Sequence, residues 1–128
     1  MIFLDTNICI YVMRGAPATL LEKFDSFAGQ LHVSSIVVAE LEFGVINSLK
    51  KERNARALDA LLERLGVIDW DRACAKAYAS VRYATRRQPI GPEDTMIAAC
   101  ALAHQALLVT NNSDEFKRVP ELKLENWV

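Results

Sequence analysis

Asp5 closes the apolar run Ile2-Phe3-Leu4 and is followed at once by Thr6 and Asn7. Two later acids, Glu40 and Asp94, interrupt apolar segments of helical spacing, and Glu115 follows the last long apolar run. Burying an unpaired carboxylate is costly, so acids embedded in apolar segments call for a cation that joins them in space. Carboxylate oxygens without neighbouring Cys or His suit a hard ion, Mg²⁺ or Mn²⁺, rather than zinc. Such an ion activates a water, polarises a phosphate and steadies a leaving oxygen, which is the chemistry of in-line phosphodiester hydrolysis. Four acids can hold one ion or two. Taken singly, each acid also has an ordinary explanation: Asp5 as a turn residue, Glu40 as a solvent-facing helix residue, Asp94 as a partner of a helix dipole, Glu115 as surface charge. Their joint occurrence in this order weighs against those explanations.

Other chemistries find no support. The chain has neither a G-x-x-x-x-G-K-[ST] loop nor a G-x-G-x-x-G turn to cradle phosphates. An aspartyl phosphotransferase often places a second acid two residues after the first; here that position is Asn7. No serine or cysteine has a convincing nearby histidine to activate it. Cys9, Cys74 and Cys100 are odd in number, sit among apolar residues and lack C-x-x-C pairing, while His32 and His104 stand far apart in sequence. The expectation is packing cysteines and no zinc site.

The elements that must position the acids follow from apolar periodicity and stop signals. Ile2 to Leu4 reads as a buried strand, with Thr6 or Asn7 capping a helix that Gly15 ends; Pro17 opens a second helix to Phe27. Leu31 to Val33 is a second strand. Ser34 or Ser35 caps a helix that carries Glu40 and runs into the polar stretch from Asn47 to Arg53. An amphipathic helix is predicted from about Asn54 to Leu65, then a strand Val67 to Trp70. Asp71 caps a helix over roughly Arg72 to Arg87, with Ala73, Ala77, Tyr78 and Val81 turned to the core. The helix after Pro92 holds Glu93 and Asp94 in its first turn. Ala106 to Val109 is a strand that ends in Thr110-Asn111-Asn112; a short helical or turn segment holds Asp114, Glu115 and Phe116. Leu122 to Leu124 can add an edge strand, with Trp127 packing the terminus.

Strands separated by helices imply an α/β fold with a central, mainly parallel sheet, because parallel neighbours need crossover connections. In such sheets ligands gather beyond the carboxyl ends of the strands, where strand order switches. Asp5 and the Thr110–Asn112 segment both lie at such ends.

Over 128 residues, 52% of them hydrophobic, the chain is expected to form one domain, 1–128, with a real core. No apolar run approaches the ~20 residues needed to cross a bilayer, and no basic signal-peptide start is present, so the expected setting is soluble and cytoplasmic. The formal net charge is −1. Set aside the four acids, and the remaining surface carries +3, with basic residues grouped as Lys50, Lys51 and Arg53 and as Arg82, Arg86 and Arg87. The competing reading of those groups is solvated helix ends.

The ordered segments FLDTNICIY, SSIVVAELEFG, GPEDTMIAA and LLVTNNSDEF resemble the PIN-domain ribonucleases, and more narrowly the VapC toxins of bacterial toxin-antitoxin pairs, over essentially the whole chain. That resemblance implies a PIN-like α/β/α sandwich and a Mg²⁺-dependent endoribonuclease acting on structured RNA, tRNA or rRNA. It also implies inhibition by a cognate VapB-type antitoxin, with a homodimer as the building block. Carried over residue by residue, it makes Asp5 and Asp94 the principal metal ligands, Glu40 the third acid and Thr6 a polar neighbour. Many relatives place an aspartate where this chain has Asn112; Glu115 is the substitute and Asp114 the fallback. Glu93 can reach the site or face solvent. Arg14, Lys50, Lys51, Arg86 and Arg87 are candidates for phosphate contacts.

Two rivals stand beside the nuclease toxin. One is a PIN-like binding module acting through antitoxin association and DNA-bound autoregulation without significant catalysis; the other is a DNA-directed or structure-specific nuclease. An acidic pocket can also receive a partner's arginine, and apolar faces around Tyr11, Phe24 and Phe43 can accept an amphipathic segment.

Overall fold

The computed structural model describes all 128 residues. Five strands form one sheet in the order β3-β2-β1-β4-β5, and every pair is parallel. They are β1 (Ile2–Leu4), β2 (Leu31–Ser34), β3 (Gly66–Ile68), β4 (Leu107–Val109) and β5 (Lys123–Glu125). Seven helices connect them: α1 (Thr6–Arg14), α2 (Ala18–Ser26), α3 (Ser35–Ile46), α4 (Lys51–Leu62), α5 (Arg72–Ala84), α6 (Pro92–Ala103) and α7 (Ser113–Phe116).

Chain order explains the layers. The path runs outward from β1 to β2 to β3, then jumps across the sheet to β4 and β5. Right-handed crossovers in opposite directions place their helices on opposite faces, so the α1–α4 group covers one face and the α5–α6 pair the other. The central strand β1 is therefore covered on both sides, and all of Ile2, Phe3 and Leu4 are buried. The two edge strands are only three residues long, which leaves little unpaired edge.

The reversal of strand order falls between β1 and β4, whose register pairs Leu4 with Val109. The N–H of Asp5 donates to the Val109 carbonyl at 3.1 Å, and that of Thr110 to Glu125 at 3.0 Å. Asp5 and Thr110 thus leave adjacent strand ends side by side, where an open parallel sheet holds its ligands.

Several boundaries differ from the sequence reading. The first helix is capped by Asp5 itself, not by Thr6 or Asn7. The polar stretch after Ile46 breaks at Lys50, and α4 begins at Lys51 rather than Asn54, because its first turn is polar and gives no apolar period to read. The helix after Asp71 stops at Thr85, whose hydroxyl turns back to the Val81 carbonyl at 2.9 Å. Ala73 is exposed, and Cys74 takes the buried position expected of it. No helix is long and apolar enough to cross a membrane.

Candidate active site

Each acid reaches the sheet edge on a different element. Asp5 caps α1: its Oδ1 accepts the Ile8 N–H at 3.0 Å, which satisfies one of the orphan donors of the first turn and fixes the carboxyl at the mouth of the sheet. It is only 4% exposed. Burial pushes its pKa above the usual carboxylate value; the Thr110 side chain and the Ile8 N–H pull it back, and Glu40 pushes it up again.

Glu40 comes from the second turn of α3, which Ser34 caps by accepting the Val37 N–H at 3.3 Å. The Thr6 hydroxyl donates to Glu40 Oε1 at 2.6 Å, binding the residue beside Asp5 to the acid of another helix. The first helical position of α1 thereby orients Glu40.

Asp94 lies in the first turn of α6, half-buried, behind a proline at the start of the helix. Its pKa rises to about 6, first through desolvation and then through the charges of Glu115, Asp5 and Glu40. The other three sequence-selected acids are therefore all close enough to act on this one carboxyl. The dipole at the start of α6 favours an anion there, and the pKa still rises, so the neighbouring charges and burial win.

The candidates for the fourth position differ in placement. Asp114 is exposed, whereas Glu115 is half-buried and faces Asp94. Asn112 Nδ2 donates to Glu115 Oε2 at 2.5 Å, and the Asn112 N–H donates to Thr110 Oγ1 at 2.8 Å. Glu93 is exposed. Neither of the two side-chain ion pairs in the chain, Lys23–Glu125 and Arg64–Asp25, involves any of the four acids. The cluster thus contains four oxygen donors and no cation of its own.

Thr110 was read only as part of a strand end. It is fully buried and stands against Asp5, a role signalled by nothing in sequence except its place after β4. Of the basic candidates, Arg14 lines a groove of about 460 Å³ together with Ile10, Met13, Glu40, Leu41 and Arg53. Arg86 lies over the Tyr83 ring at 3.9 Å and donates to its carbonyl, in a second hollow that reaches Pro92 and Thr95. Arg87, Lys50 and Lys51 are exposed and line neither groove. Among the aromatics, Phe24 is core and Tyr11 half-buried, while Phe43 is 66% exposed.

All three cysteines are buried in the core, as their apolar surroundings predict. Cys74, Cys100 and His104, distant in sequence, come together across α5 and α6. Only helix pairing places them so, which is why no local spacing revealed them.

The family model of the PIN domain matches residues 2–122. Ribonuclease VapC2 of Rickettsia felis is 44% identical over 128 residues, covering 97% of this chain and 96% of that protein. The tRNA(fMet)-specific endonuclease VapC of Shigella flexneri is 39% identical over 126 residues, with 97% and 96% covered. The crystal structure of VapBC2 from Rickettsia felis, bound to a DNA fragment from its promoter, superposes with a TM-score of 0.93 at 43% identity over the full length of both chains. DNA-bound VapBC from Salmonella typhimurium gives a TM-score of 0.95 at 36% identity, covering 99% and 98%.

Proposed function

The chain belongs to the PIN-domain family, and from that premise we propose that it is a metal-dependent endoribonuclease toxin, acting over residues 1–128 as one unit and held in check by a VapB-type antitoxin. The observation that carries this reading is the cluster of Asp5, Glu40, Asp94 and Glu115, brought from four elements to one strand edge with no internal cation. Its donor set is all carboxylate, which fits a hard divalent ion, Mg²⁺ or Mn²⁺. Asp5 and Asp94 would hold it, with Glu40 and Glu115 completing the anionic site. When bound, the ion supplies an activated water and neutralises charge developing on the phosphate.

The chain's own residues prepare that site. Asp5 is fixed by the α1 amide it caps, Glu40 by the Thr6 hydroxyl, and Glu115 by Asn112, so three of the four carboxylates are oriented before any ligand arrives. Preorganised groups need no rearrangement during reaction. Arg14 and Arg53, along the groove that ends at Glu40, are suited to backbone phosphates flanking the scissile bond.

The substrate proposed is a structured RNA, tRNA or rRNA; the names of the relatives, one of them a tRNA(fMet)-specific endonuclease, support tRNA first. The same groove supports the antitoxin. Its apolar floor of Ile10, Met13, Leu41 and Val45 suits an amphipathic segment, and Glu40 at its end suits an arginine. The DNA-bound VapBC complexes among its structural neighbours support autoregulation as a second role of the toxin-antitoxin assembly, alongside catalysis.

The test is cleavage of initiator tRNA, total RNA and single-stranded DNA, with Mg²⁺ and with chelator. Metal-dependent RNA cleavage that falls at least ~100-fold in Asp5→Asn and Asp94→Asn is the expected result. Cleavage that survives both substitutions would overturn the site, and a preference for DNA would overturn the substrate class.

A further inference from the structure

The acidic cluster occupies the start of α6; a different set of donors gathers at its other end. The sulfurs of Cys74 and Cys100 and a ring nitrogen of His104 all lie within 4.8 Å of one another. We propose that these three residues form a second metal site, for a thiophilic divalent ion of the zinc class, which clamps α5 to α6. The proposal does not rest on the nuclease reading, because the two sites share no residue.

The placement is chemically specific. Cys100 and His104 are four residues apart and so lie on one face at the last turn of α6. Cys74 approaches from the first turn of α5, across the helix pair. In a tetrahedral zinc site with bonds of about 2.0–2.3 Å, neighbouring donors sit roughly 3.5–3.8 Å apart. The spacing here needs only a short closure. Two thiolates and an imidazole select zinc over magnesium, the reverse of the all-carboxylate cluster.

A fourth donor is at hand. Asp71 caps α5 by accepting the Cys74 N–H at 3.1 Å. That bond sets an exposed carboxylate beside one of the three donors. Either it or a water can complete the tetrahedron. The His104 ring is half-buried, 5.7 Å from the ring of Phe3, and both cysteines are fully buried, so the three donors are shielded on the core side and the open side faces Asp71 and solvent.

Separation from the acidic site follows from helix geometry. Cys100 and His104 lie six and ten residues beyond Asp94, or roughly 9–15 Å along the axis at the α-helical rise. An ion bound there would brace the helix that presents Asp94 without entering the reaction.

The experiment uses the full chain, fully reduced and stripped with chelator, titrated with Co²⁺ and then Zn²⁺. A thiolate-to-cobalt charge-transfer band in the near ultraviolet, bleached by Zn²⁺ and retained in Asp94→Asn, is expected. Cys100→Ala should abolish the band, and His104→Ala, a change at a half-exposed ring, should weaken Zn²⁺ binding at least ~10-fold. Absence of the band in a folded chain whose three thiols titrate as free would overturn the proposal. So would a band that survives both Cys100→Ala and His104→Ala.

Discussion

Asp94 shows how a single residue can carry information about its neighbours. Its carboxyl titrates near 6 where the unperturbed value is 3.8, through burial and then the charges of Glu115, Asp5 and Glu40. In the metal-free chain the folded state therefore holds this proton more tightly than the unfolded state. The contribution of this group to stability is full below about pH 4, is lost as pH rises through about 6, and is absent above that. For a half-exposed group the loss is on the order of 1 kcal/mol after solvent screening. Asp94→Asn should flatten that part of the curve of melting temperature against pH, and saturating Mg²⁺ should flatten it in the unmodified chain. Thr6 acts through another residue: its hydroxyl positions Glu40. Thr6→Val is expected to lower cleavage about tenfold while shifting the melting temperature by only a few degrees, since one hydrogen bond contributes about 1 kcal/mol; Thr6→Ser should restore the rate. Both acids were legible in sequence because a carboxylate inside an apolar segment is a visible anomaly. The Glu40 hydrogen bond was not, since its partners are 34 residues apart.

At the scale of elements, caps decide where the acids point. Ser34 ends β2 and caps α3 through the Val37 N–H, while Ser35 Oγ accepts the Trp70 N–H at 3.1 Å and ties the helix start to the chain beyond β3. Ser34→Ala should cost about 1 kcal/mol of unfolding free energy in denaturant titration. It should also slow cleavage, because Glu40 rides on that helix; an unchanged rate would separate the cap from the site. The strands and most helix starts were legible from serine, aspartate, proline and glycine signals. The ends of α3 and α4 were not, since their polar boundary turns present no apolar period. The cap of α1 is Asp5 rather than Thr6 or Asn7, because aspartate is itself a favoured cap residue and its carboxyl reaches the Ile8 N–H.

For the whole molecule, the C-terminal segment matters more than its length suggests. Trp127 is buried, stacked on Phe27 at 5.3 Å, with Lys23 over its ring and bonded to Glu125 on β5. Since β5 also holds the Thr110 N–H through Glu125, Trp127→Ala is expected to destabilise the chain by about 3–5 kcal/mol in thermal or denaturant unfolding. Cleavage at a temperature where the variant is still folded should fall less than in the acid variants. Read along the chain, periodicity gives the alternation of strands and helices, hence a parallel sheet, and marks four acids as candidates, because periodicity and charge amid apolar residues are local properties. Folding in three dimensions is what reverses strand order between β1 and β4, turns Glu115 rather than Asp114 inward with Asn112 as its donor, and brings Cys74 to Cys100 and His104. Each of those facts is a distance between residues far apart in sequence, and such distances are set by crossover direction and helix packing rather than by spacing along the chain.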